Sequence, residues 1–183
     1  MMWLIGIISG VIILSLGVNY NSLVKLENTV EVAWSQIEVQ LKRRHDLIPD
    51  LVKTTQEYMD YEQQVLTEII EARSKAVKAE QVLQQAEAES ELNQSLDKVI
   101  GLIEDYPDLK AKQNFLDLQE ELLSTENRIA FGRQSYNDAV LYFNNKVEMF
   151  PSNIIASLFN FQAKDYFEVE YERERKLPEI DIK

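Results

Sequence analysis

Cysteine is absent from the 183 residues, and histidine occurs once, at His45. The first absence excludes disulfides, thiolate metal sites and cysteine nucleophiles. The second leaves Ser and Thr without a histidine base beyond His45. A carboxylate-bridged di-metal site in a helical bundle needs two Glu-x-x-His pairs, and no glutamate stands three residues before His45. HExxH, GxSxG, Walker A and GxGxxG patterns are missing. The 5 glycines are scattered, with three inside residues 1–18, so no loop is expected to cradle a nucleotide phosphate. These absences predict no enzyme, no catalytic residue, no cofactor and no metal site, and His45 reads as an exposed or interfacial helix residue.

Basic residues are also few, with 19 Lys and Arg against 31 Asp and Glu and a net charge of −12. Phosphate contacts need clustered cations, so nucleic acid is not an expected partner. Glycine and proline are scarce, at 5 and 4, while Glu, Gln, Leu and Lys are plentiful. That balance favours helix over sheet. A chain of this length with 45% hydrophobic residues can bury one core.

The one long stretch without charge is MMWLIGIISGVIILSLGV, residues 1–18. As a helix it would be about 27 Å long at ~1.5 Å per residue, close to the ~30 Å hydrocarbon core of a bilayer. It has neither the basic n-region nor the small-x-small site of a cleaved signal peptide, and it is expected to be a transmembrane anchor. Lys25 lies just past it, and no basic side chain precedes it. This asymmetry predicts a short N-terminus outside and the large domain in the cytoplasm.

Beyond the anchor, Leu23, Leu26, Val30, Ala33, Ile37 and Leu41 recur at helical spacing, and the same face resumes with Val52, Met59, Leu66, Ile69 and Ile70. Leu26, Ile37, Ile48, Met59 and Ile70 share an eleven-residue spacing that fits a nearly straight rod. Residues 79–90 lose this periodicity and read as a connection. Leu92, Leu96, Val99 and Ile103 mark a short helix that stops at DYPD. Phe115, Leu118, Leu122, Thr125, Ile129, Gly132, Tyr136, Ala139 and Phe143 then form a seam for a packed partner, with Asn114 as its cap and Pro151 as its end.

Pro49 interrupts this pattern. It lacks the N–H that would bond the carbonyl of His45, which costs ~3 kcal/mol in a helix interior. Either the rod kinks there, as continuity of the apolar face suggests, or Asp46 caps a new helix and the chain reverses, as the matched segment lengths suggest. The expected fold is therefore all-α: an N-terminal transmembrane helix followed by an antiparallel up-and-down bundle of four long helices, or three with a kink at Pro49. The divisions are 1–18 for the anchor, 19–168 for the bundle and 169–183 for a charged C-terminal tail. The basic run Lys42, Arg43, Arg44 reads as a solvated helix end complementing the helix dipole, with anionic lipid or an acidic partner surface as the functional alternative.

Ile154, Ile155, Leu158, Phe159, Phe161, Tyr166 and Phe167 are more apolar material than an exposed tail carries. They are expected to cap the bundle end or to contact lipid or a neighbouring subunit, with apolar insertion outweighing charge because only Lys164 is basic there.

The blocks 20–52, YNSLVKLENTVEVAWSQIEVQLKRRHDLIPDLV, and 106–159, YPDLKAKQNFLDLQEELLSTENRIAFGRQSYNDAVLYFNNKVEMFPSNIIASLF, with DYFE at 165, resemble the LemA family of membrane-anchored proteins. The resemblance covers most of the chain. It implies a bacterial host, a single-pass protein of the cytoplasmic (inner) membrane and a cytoplasmic helical bundle. No catalytic activity is established for that family, so no catalytic residue is carried over, and some members are associated with membrane remodelling or magnetosome formation. Departures are confined to Gly132, where alanine is common, and to 77–90. The functional expectation is a non-enzymatic scaffold that self-associates on the lipid bilayer, the alternative being an adaptor that recruits a membrane protease or signalling protein to the inner leaflet.

Overall fold

A computed structural model describes residues 2–59 and 62–168, apart from the side chains of Met2, Ile5, Ile8, Ser9, Val11, Ile12 and Ile13. The expected tail, 169–183, lies outside the described residues, as do Met1 and those seven side chains of the expected anchor. Among the described residues, no helix is long and apolar enough to cross a membrane. The described residues form α1 (Met2–Gln56), α2 (Gln63–Lys78), α3 (Val82–Ile103), α4 (Pro107–Lys110), α5 (Gln113–Glu148) and α6 (Ser152–Leu158), with no strand.

The 55 residues of α1 make it about 82 Å long at ~1.5 Å per residue. It continues as one helix through Pro49, which is exposed on its outer face. The reversal expected at Pro49 is thus corrected. The helix ends at Gln56 and a turn follows at 57–58, set by the buried Thr55: its hydroxyl donates to the carbonyl of Leu51 at 2.9 Å, and its own carbonyl accepts from Met59 N–H at 3.0 Å. Continuity of the apolar face across Pro49 was the sound signal, and matched segment lengths were the misleading one.

Two cores follow from this layout. Near the turn, the second half of α1, α2, α3 and the start of α5 form a short four-helix bundle around Ile48, Leu51, Met59, Ile69, Leu92, Val99, Ile103 and Phe115. Toward the N-terminus, α1 pairs with α5 around Leu23, Ile37, Val140 and Phe143, joined by Ala86 and Val82 from the start of α3. That second core is completed by Ile155 and Ala156 of α6 and by Phe167 beyond it. Full burial of a side chain such as Phe143 contributes about 1.5–3 kcal/mol.

The regular seam of α5 is spent on this chain's own α1. Phe115, Leu122, Thr125, Ile129, Gly132, Tyr136, Ala139 and Phe143 are all buried within the monomer. A Cβ at Gly132 would lie 3.0 Å from Ile37 Cγ1, so the glycine admits close approach of the two helices.

Two further corrections concern boundaries. The expected connection at 79–90 is only the turn at 79–81, because α3 starts at Val82 and buries Gln85, Ala86, Ala88 and Glu89. Its inward face is small or polar there, which is why no apolar rhythm marked it. The cap of α5 is Lys112 rather than Asn114, and it has no side-chain cap bond.

Candidate functional site

Three features can carry function: a buried polar node at mid-length, a strapped C-terminal segment, and an apolar surface at the end nearest residues 1–18. The node comes from the basic run. Lys42 and Arg43 are exposed, but Arg44 is 1% and His45 7% exposed. Both are therefore inward residues in the interior of α1, which corrects the solvated helix end expected of Arg44 and, of the two positions expected for His45, leaves the interfacial one. Ile37, Leu41, Arg44, Ile48 and Leu51 keep the three and four spacing of one buried face.

Glu89 of α3 meets both side chains. One of its carboxylate oxygens pairs with Arg44, and the other lies 2.7 Å from His45 Nε2 and accepts from Gln85 Nε2 at 2.8 Å. Arg44 also donates from Nη1 to Asn93 Oδ1 at 2.6 Å and to Glu126 Oε2 of α5 at 2.5 Å. Burial works against the charged form of Glu89, yet the His45 contact and the Arg44 guanidinium outweigh it and hold the carboxyl below its ordinary range. The node ties α1, α3 and α5 together where the two cores meet. Arg73 of α2 joins it, donating from Nε to the carbonyl of His45 at 2.6 Å.

The strap is the extended chain after α6. Asn160 has φ 59°, and the N–H of Phe161 bonds the carbonyl of Ala156 at 2.9 Å, a helix-ending turn that redirects the chain along α5. Two asparagines seven residues apart on α5 then hold its backbone. Asn144 accepts from the Lys164 N–H and donates to the Lys164 carbonyl, both at 2.9 Å, and Asn137 accepts from the Phe167 N–H at 2.9 Å. Seven helical residues span about 10.5 Å, and three extended residues span about the same, so the two clamps match in register. Tyr136 donates to the carbonyl of Asp165 at 2.9 Å. Burial, helped by the Asp165 charge, pushes that phenol up to about 12, which keeps it protonated as the donor. Phe167 closes the strap, with its ring 5.4 Å from that of Trp34.

The seven apolar residues expected to act together therefore separate. Ile155 and Phe167 are buried and Phe161 is half-buried, so they cap the second core. Ile154, Leu158, Phe159 and Tyr166 remain exposed. Met149 and Phe150, which precede α6, are exposed as well, Phe150 at 79%. The Phe159 ring lies 4.7 Å from that of Tyr20, and Lys146 Nζ donates to Asn19 Oδ1 at 3.1 Å. The exposed set thus stands beside the point where α1 leaves the bundle toward residues 1–18.

On another face, a groove of about 1020 Å³ runs between α1 and α5, lined by Val32, Val39 and Phe131 among the amides of Asn28, Gln36 and Asn127. Among the described residues, no group of three or more His, Cys, Asp or Glu is placed to hold a metal ion.

The LemA family model matches residues 33–182. The chain belongs to the LemA family. The match runs past residue 168, where the bundle was expected to end. Curated relatives include magnetosome protein MamQ 2 of Paramagnetospirillum magneticum, 24% identical over 85% of this chain and 67% of that protein. Magnetosome protein MamQ of Magnetospirillum gryphiswaldense is 23% identical over 85% of this chain and 66% of its own length. Protein LemA of Metamycoplasma hominis is 26% identical over 93% of this chain and 79% of its own. The chain therefore spans about two thirds of the magnetosome relatives. In this LemA chain the matched segment contains the node, the strap and α6.

Proposed function

We propose that this LemA-family protein is a non-enzymatic, membrane-anchored scaffold that associates with copies of itself. The observation that carries the reading is the continuity of α1. One helix holds the uncharged residues 2–18 and then buried positions of both cores, so a membrane load on its first turns passes directly into the bundle. The stretch without charge is of bilayer length, which supports a single-pass anchor in a bacterial cytoplasmic membrane, and Lys25 favours a cytoplasmic bundle. Resistance of the full-length protein to alkaline extraction from membranes tests the anchor, and release of Leu14→Arg would accompany it. Extraction of the unaltered chain by alkali would remove this part of the reading.

Self-association needs a surface other than the α5 seam, which is used within the monomer. The α1/α5 groove supplies one. Val32 and Val39 are seven residues apart on α1, Phe131 faces them, and all three are exposed. Heptad spacing suits a second copy packing helix against helix, and Glu31 and Arg128, which also line the groove, bring one charge of each sign.

A further inference from the structure

Five large apolar side chains, Met149, Phe150, Ile154, Leu158 and Phe159, are exposed around α6, and none of them belongs to either core. Ile154 and Leu158 are four residues apart and share one face of α6, while its opposite face, Ile155 and Ala156, is buried. Soluble surfaces tolerate scattered apolar residues, whereas a contiguous apolar cluster marks an interaction site. Its occupant is indicated by its place. Phe159 packs on Tyr20, two residues past the uncharged stretch, and Lys146 bonds Asn19. A bilayer that held residues 1–18 would have its surface at this level, where Tyr and other aromatic side chains are favoured.

We infer that α6 and its flanks form an interfacial foot: Phe150, Ile154, Leu158 and Phe159 dip into the headgroup–acyl boundary of the bilayer that holds residues 1–18. This rests on the anchor reading above. The foot is pinned from below by Ile155, Phe161 and the asparagine-clamped strap, so lipid contact is transmitted to the second core and not to a loose tail. Of the cations nearby, Lys164 pairs with Glu27 at 2.9 Å and Lys146 with Asn19, and the exposed Lys25 adds a single charge, so the attraction is mainly apolar and little dependent on anionic lipid. With two attachment points, the anchor and the foot, α1 would stand at a fixed tilt to the membrane.

The absence of cysteine makes the test direct. Leu158→Cys, Leu14→Cys and Asp50→Cys are spin-labelled singly in the full chain and reconstituted into phosphatidylcholine vesicles, with and without phosphatidylglycerol. Accessibility to oxygen is compared with accessibility to a water-soluble nickel complex. The expected result is lipid-type accessibility at 158 and 14 in both vesicle types and aqueous accessibility at 50, which is exposed about 45 Å further along α1 than Tyr20. Lipid at 14 with water at 158 overturns the foot and leaves the anchor standing. Water at both positions removes the anchor and the foot together. Shielding of 158 from both relaxers, with spin–spin broadening that disappears on dilution with unlabelled chain, overturns lipid in favour of a second copy.

Discussion

Arg73 Nε donates to the carbonyl oxygen of His45 at 2.6 Å, and that carbonyl is the acceptor Pro49 leaves open in α1. A proline that would break an isolated helix here presents an acceptor to α2, and the long helix continues. Removing the guanidinium in Arg73→Met is expected to destabilise the protein by about 1.5–3 kcal/mol, the range for a hydrogen bond to a charged group. In a Pro49→Ala background the helix supplies its own N–H, and the loss should fall by more than half. A double-mutant cycle from urea denaturation measures this coupling, and equal losses in both backgrounds would refute the role given to Arg73.

Glu89 pairs with the buried Arg44 guanidinium and contacts the buried His45 ring, so Glu89→Ala is expected to cost about 3–5 kcal/mol. The exposed pair Arg43–Glu121, at 2.9 Å, is worth under about 1 kcal/mol by the same measurement. Acid should mimic the loss. The carboxyl of Glu89 titrates below its ordinary value of 4.5 in the folded chain. Its contribution is therefore complete above that value and disappears as pH falls through the lower folded one. Thermal melts between pH 7 and pH 3 should show a fall in Tm below about 4.5 that is smaller in Glu89→Gln than in the unaltered protein.

Gly132 and Ile37 set the separation of α1 and α5, since an added Cβ would stand 3.0 Å from Ile37 Cγ1. Gly132→Leu is expected to destabilise by about 1–3 kcal/mol through overpacking. Gly132→Ala gains about 1 kcal/mol of helix propensity only when the neighbour is gone. Denaturation curves should show it stabilising in an Ile37→Ala background and not in the unaltered one.

The asparagine clamps make a separate expectation. Asn137→Ala with Asn144→Ala should speed amide exchange at Lys164 and Phe167 by on the order of tenfold or more, given ~0.5–1.5 kcal/mol per bond. Trp34 emission should shift to the red as Phe167 leaves it, while exchange in α2 and α3 stays unchanged. Coincident acceleration throughout the protein would mean that the strap is part of one global unfolding unit.

What could be read in advance follows from the kind of signal each residue carries. The α5 seam and the first half of α1 were legible because their inward positions are apolar at helical spacing. Arg44 and Glu89 were not, because charged side chains at inward positions imitate a solvated face until their partners are known, and those partners lie 45 residues apart in sequence. The apolar residues after Pro151 were recognised as a group, but their division between core and surface depends on the turn at Asn160 and on Asn137 and Asn144, whose spacing matches an extended strap only once both elements are placed. Similarly, Pro49 was seen as a problem for the carbonyl of His45, and the donor that solves it, Arg73, came from a different helix.

The scaffold reading is tested most directly by the mass of the full-length protein after gentle extraction, measured by mass photometry beside Phe131→Glu. Uniform assemblies of several copies that fall to monomers in the variant are the expected result, because a carboxylate in the α1/α5 groove opposes helix packing. Monomers for both proteins would contradict self-association and make recruitment of a different protein the better account of this surface.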